Sequence, residues 1–167
     1  MSTPDVALNS GRPFMLGERE LTFRQLTNGQ YASLFGWAKL QLKKQARQLF
    51  VDEPALFAAP LAQRDRLRSE MRADYIEYCT SVDRMDTTDA AVLQVVASNE
   101  GDVHCLWLAA QADQPAITEE ELSRLYWASR EEAAPVLEYL QPEFVKSAIA
   151  AQETGSPPET GSTGGQS

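Results

Sequence analysis

Only one imidazole, His104, is present in the sequence, so any histidine-based proton transfer or nucleophile activation rests on it. Cys105 follows it directly and cannot share its helical face, because adjacent residues diverge by about 100° around a helix. Glu100, four residues earlier, stands where it can accept a hydrogen bond from the ring. One carboxylate beside one imidazole still lacks a nucleophile and a group to hold a developing anion. The pattern predicts a partly buried core histidine and no catalytic residue. Asp83, Asp86 and Asp89 lack the alternating oxygen ligands and closing glutamate of a calcium loop, and Asp86-Thr87-Thr88-Asp89 reads as helix-capping chemistry instead. Glu119-Glu120-Glu121 sits at a predicted helix start, where the backbone dipole favours negative charge. Cys79 and Cys105 are too few for a disulfide scaffold and show no CxxC spacing, so both are expected as small buried apolar residues in a reducing cytosol. Gly161, Gly164 and Gly165 have no strand before them and no helix after, which excludes a phosphate loop. No metal, no cofactor and no enzymatic activity are expected.

A different constellation lies on the first long helix. Trp37 and Leu40 fall roughly 120–180° from its core stripe, with Lys43 and Lys44 beside them and Lys39 and Arg47 close by. An aromatic anchor and an aliphatic neighbour rimmed by positive charge have the composition of a protein-binding hot spot. On this reading Trp37, Leu40, Lys43 and Lys44 bind an acidic, amphipathic segment of a partner. The other reading is a central helix covered on both faces by its own bundle. Gly36 beside Trp37 permits a close helix approach in either case.

These residues need elements to position them. Phe14-Met15-Leu16 and Leu21-Thr22-Phe23 flank Gly17-Glu18-Arg19 and predict a small β-hairpin that must pack on something to persist. Thr27 and Gln30 form a capping box that opens the long helix. Tyr31, Leu34, Phe35, Ala38, Leu42, Ala46, Leu49 and Phe50 recur at three- and four-residue steps and make its apolar face. Pro54 and Pro60 punctuate a connector over 51–60. A second helix, Leu61 to Val82, carries Leu67, Met71, Tyr75, Tyr78 and Val82 on one stripe and charge elsewhere. Ala90 to Ala97 reads as a third helix, although its run of Val and Leu also suits a buried strand. Ser98 to Gly101 interrupts or bends the chain. Val103 to Asp113 is apolar most of the way round, as the buried centre of a bundle is. Thr118 with Glu121 and Ser129 with Glu132 repeat the capping signature, while Pro135 either ends or bends the second of these helices. Pro142 fits the first turn of a final helix reaching about Ala151.

With 167 residues the chain suits one domain: a flexible N-terminus over 1–13, a single helical domain over 14–152 and a disordered tail over 153–167. The tail has no hydrophobic residue to offset the cost of ordering it. The expected fold is mainly α, a compact bundle of about five or six helices behind a short N-terminal β-hairpin. The net charge of −9 argues against nucleic-acid binding. It is unevenly spread, at +2 over 1–60, −3 over 61–100 and −8 over 101–167, which allows head-to-tail self-association or two unlike partners. No basic stretch followed by an apolar one opens the chain, and no apolar run is long enough to span a membrane, so a cytoplasmic protein is expected.

Three stretches together resemble the small α-helical tail assembly chaperones of long-tailed bacteriophages. They are Leu21-Thr22-Phe23-Arg24-Gln25-Leu26-Thr27 running into the helix with Trp37, Ser98-Asn99-Glu100-Gly101 leading to Leu106-Trp107-Leu108, and Pro115-Ala116-Ile117-Thr118-Glu119-Glu120-Glu121 opening the next helix. The likeness covers about residues 14–140. It implies a non-enzymatic chaperone that binds the tape-measure protein while the tail tube assembles, acting in the host cytoplasm, with a frameshifted C-terminal extension as a frequent companion. The competing class is a structural virion or adaptor protein, such as a head–tail completion factor.

Overall fold

The polypeptide begins with two short strands whose alternation puts one face inward. In the computed structural model, which describes residues 10–50 and 59–140, β1 (Arg12–Leu16) pairs antiparallel with β2 (Arg19–Phe23), with Phe14 opposite Leu21 and Leu16 opposite Arg19. Leu16, Leu21 and Phe23 are buried on one face, and Met15 points outward. Gly17 opens the two-residue turn at φ 62°, a left-handed conformation that a side chain would strain.

Six helices follow among the described residues: α1 (Asn28–Phe50), α2 (Leu61–Arg84), α3 (Ala90–Val96), α4 (Asn99–Ala110), α5 (Glu119–Ala128) and α6 (Arg130–Leu140). The fold is therefore mainly α, a compact helical assembly with a two-stranded hairpin at its front. The Thr27 box closes in both directions: Gln30 N–H donates to Thr27 Oγ1 at 3.3 Å and Thr27 N–H donates to Gln30 Oε1 at 3.0 Å. Asp89 caps α3 by accepting from Ala91 N–H, and Ser98 caps α4 by accepting from Gly101 N–H. The run of Val and Leu at 92–96 is a helix, not a strand, and Val92, Leu93, Val95 and Val96 are all buried.

Helix α4 lies at the centre. Eight of its twelve residues are buried, which is why its sequence is apolar nearly all round. Gly101 is required at its start, because a Cβ there would lie 2.2 Å from the Val96 carbonyl oxygen. The exit of β2 is tied to the far end of the same helix. Arg24 N–H donates to Ala109 O, Gln30 Nε2 donates to Leu108 O, and the Arg24 guanidinium grips Asp113 through two hydrogen bonds of 2.7 and 2.8 Å.

Expectation and structure differ in places. Leu49, placed on the core face of α1, is 68% exposed, because the helix outruns the core it packs on. On α2 the expected stripe is present, with Val82 fully buried and Leu67, Met71, Tyr75 and Tyr78 half-buried. The break at Ser129 falls where the capping signature puts it, and Pro135 does not end the next helix but sits inside α6, where its missing N–H leaves one helical bond unmade. Of the segment over 1–13 expected to be flexible, Arg12 and Pro13 belong instead to β1, paired with Phe23 and Thr22. Residues 1–9, the 51–58 part of the connector, the helix expected after Pro142 and the tail over 153–167 lie outside the described residues.

Candidate functional site

Helices α1, α3, α4 and the start of α5 wall a surface cleft. Trp37, Gln41, Lys44 and Gln45 project from α1, Gln94 from α3, Glu100 from α4 and Glu119 from α5, around a cleft of about 670 Å³. The glutamines follow Trp37 at four and eight residues, so helical geometry alone sets them on one face with it.

Trp37 is half-buried, and its indole lies flat on the buried His104 ring, with centroids 4.6 Å apart and planes 10° from parallel. Trp107 packs on the same imidazole at 5.3 Å, tilted by 41°. His104 Nδ1 donates to Glu119 Oε1 at 2.9 Å; a carboxylate only accepts, so this nitrogen carries the ring proton. The partner is thus a glutamate fifteen residues later in the chain, not Glu100, which faces the cleft. The expected core histidine is present, held by packing and by one hydrogen bond.

The four residues predicted to bind a partner do not act together. Trp37 and Lys44 line the cleft, and Leu40 stands 57% exposed beside them. Lys43 turns the other way and pairs with Asp83 of α2 at 2.6 Å. Lys39 follows it, its ammonium donating to the backbone carbonyls of Asp83 and Met85. The basic rim is therefore divided, and Glu100 and Glu119 supply negative charge on the opposite wall. Gly36 serves no close helix contact, since nothing lies within 4 Å of where its Cβ would be.

A second hollow of about 460 Å³ lies beyond Glu100 and Glu119, which border both. Its far wall carries Trp127, 56% exposed, under the Arg130 guanidinium at 5.5 Å. Sequence reasoning missed Trp127. Its signal was phase: on α5 the buried positions are Leu122 and Tyr126, and Trp127 falls one residue off that stripe.

Two groups nearby are structural, the half-buried Asp102 and the buried Cys105. Burial pushes the Asp102 carboxyl up to about 6, against the pull of the Tyr126 hydroxyl that donates to it at 3.0 Å and of Arg130. Burial likewise pushes the Cys105 thiol up to about 12, so it stays protonated and unreactive. Cys79 is half-buried rather than buried. Among the described residues no three His, Cys, Asp or Glu side chains gather to hold a metal, and no helix is long and apolar enough to cross a membrane.

Fold and cleft together define a small helical protein with an amide-lined, aromatic-floored surface groove. No family model matches the chain, nor does any curated protein or solved structure.

Proposed function

We propose that this chain is a non-enzymatic protein-binding chaperone of the phage tail assembly kind, holding a helical segment of a tape-measure protein on the surface formed by Trp37, Leu40 and Lys44. The observation that carries the reading is the placement of Leu40. A large aliphatic side chain, 57% exposed, stands one helical turn from both Trp37 and Lys44, which line the cleft. That arrangement offers an apolar anchor point with glutamine amides around it to satisfy polar groups of an incoming segment. The mixed charge of the walls, Lys44 against Glu100 and Glu119, suits a partner carrying both signs better than the purely acidic one expected from the α1 lysines alone.

Co-expression with a phage tape-measure protein tests this. The two should co-purify, and Leu40→Glu should abolish the complex while leaving the helical circular dichroism unchanged. Retention of the complex by Leu40→Glu and Trp37→Ala alike would sink the docking assignment. Finding the protein in purified virions would favour the structural-component reading over a chaperone.

A further inference from the structure

Helix α2 is a poor fit to the rest of the molecule. Its 24 residues extend about 36 Å, yet it contributes only Val82 to the buried core, with Tyr78 packed against it. Among the described residues its main packing partner is α1, with Phe50 and Tyr78 in ring contact at 6.1 Å. Leu67, Met71 and Tyr75 form a half-buried stripe, and Leu61 and Ile76 stand 81% and 63% exposed. Two antiparallel helices with a half-covered apolar stripe are half of a four-helix arrangement.

The charges of α2 say what completes it. Over 61–72 the helix carries Arg64, Arg66, Arg68 and Arg72 against Asp65 and Glu70; over 73–84 it carries Asp74, Glu77 and Asp83 against Arg84. It is positive in its first half and negative in its second. Positive charge near a helix N-terminus opposes the backbone dipole, and no acidic residue relieves it in the first turn. Arg66 pairs with Glu70 and Arg68 with Asp65 on the exposed surface, and Asp83 with Lys43 of α1, but the net gradient along the helix still opposes its dipole. A second copy of the same helix laid antiparallel offsets that gradient, because each positive half then lies beside a negative one.

We infer that the α1–α2 arm is a self-association surface, on which two copies of this chain pair about a two-fold axis with their α2 helices antiparallel. The crossing falls near Met71 and Tyr75, so Leu67, Met71 and Tyr75 of one copy cover those of the other. Such an interface is isologous and closes at two chains. It differs from the head-to-tail association that the whole-chain charge gradient permits, which would propagate. The docking cleft beside Trp37 takes no part in it.

Sedimentation velocity on the full chain at low ionic strength tests the inference, with paired charge reversals as the decisive variants. Arg68→Glu with Arg72→Glu makes both halves of α2 negative, and Asp74→Lys with Glu77→Lys makes both positive. All four side chains are exposed, and circular dichroism and denaturant midpoints verify that each variant is folded. The unaltered chain is expected as a dimer that weakens with added salt. Each variant alone should have its dissociation constant raised by about tenfold or more, and an equimolar mixture should recover the dimer as a heterodimer. A monomeric unaltered chain overturns the proposal. So does a dimer that survives both reversals, larger species growing with concentration, or two monomeric variants whose mixture stays monomeric.

Discussion

The Trp37 indole lies parallel to the His104 imidazole at 4.6 Å, joining the outer face of α1 to the buried centre of α4. The contact is intermediate between core and surface. Trp37 holds up the floor of the cleft and still presents itself to the cleft's interior.

From this position, Trp37→Ala should destabilise the fold by about 1–2 kcal/mol, the sum of a lost aromatic stack and partial apolar burial. That is well short of the roughly 3–5 kcal/mol for a fully buried aromatic. Leu40→Ala, with its side chain in solvent, should change stability by no more than about 0.5 kcal/mol. Urea unfolding of the two variants measures both, and a cost for Trp37→Ala in the full-core range would assign it to the core alone.

Asp102 sets a pH dependence. Its carboxyl is raised by burial from its ordinary value to about 6, so the folded chain holds a proton that the unfolded chain has released. The stability due to that proton is complete below the ordinary carboxyl value and is lost as pH rises through about 6. Asp102→Asn keeps an acceptor for the Tyr126 hydroxyl without the buried charge. It should raise the thermal midpoint at about pH 8 and match the unaltered protein near pH 4. Equal midpoints at both pH values would show that water reaches this carboxylate.

Two glycines should respond oppositely to alanine. At Gly36 the added methyl meets nothing, and the helix gains about 0.5–1 kcal/mol. At Gly101 it would meet the Val95 and Val96 carbonyl oxygens at 2.5 and 2.2 Å, so α3 and α4 must part. Thermal melts of the pair should move in opposite directions.

The hairpin is fastened by two glutamates that open helices. Glu121 of α5 pairs with Arg19, and Glu132 of α6 accepts from the Gly17 amide in the turn. Replacing Glu132 with Ala should speed hydrogen exchange at the hairpin amides and leave α4 protected. Unchanged exchange in the hairpin would mean that Leu16, Leu21 and Phe23 hold it by burial alone.

Those two glutamates also mark where local reading stops. The spacing in Thr118-to-Glu121 and Ser129-to-Glu132 located both helix starts correctly, and Thr118 does accept from Glu121 N–H at 3.1 Å. The glutamate side chains, though, leave their own caps for the hairpin, whereas Gln30 stays on its box. The difference lies in what happens to be packed nearby.

The sequence by itself determined the hairpin, the caps, most of the buried stripe of α1 and every described helix but α3, whose run of Val and Leu left a strand open, because each depends on residues within four positions held by one backbone geometry. Tertiary structure alone decided that His104 meets Glu119 rather than Glu100, that Lys43 faces Asp83 while Lys44 faces the cleft, and that the stripe of α2 stays half-uncovered. Periodicity fixes the direction in which a side chain leaves its helix, but only the packing of α2, α3 and α5 against α1 and α4 fixes what it meets there.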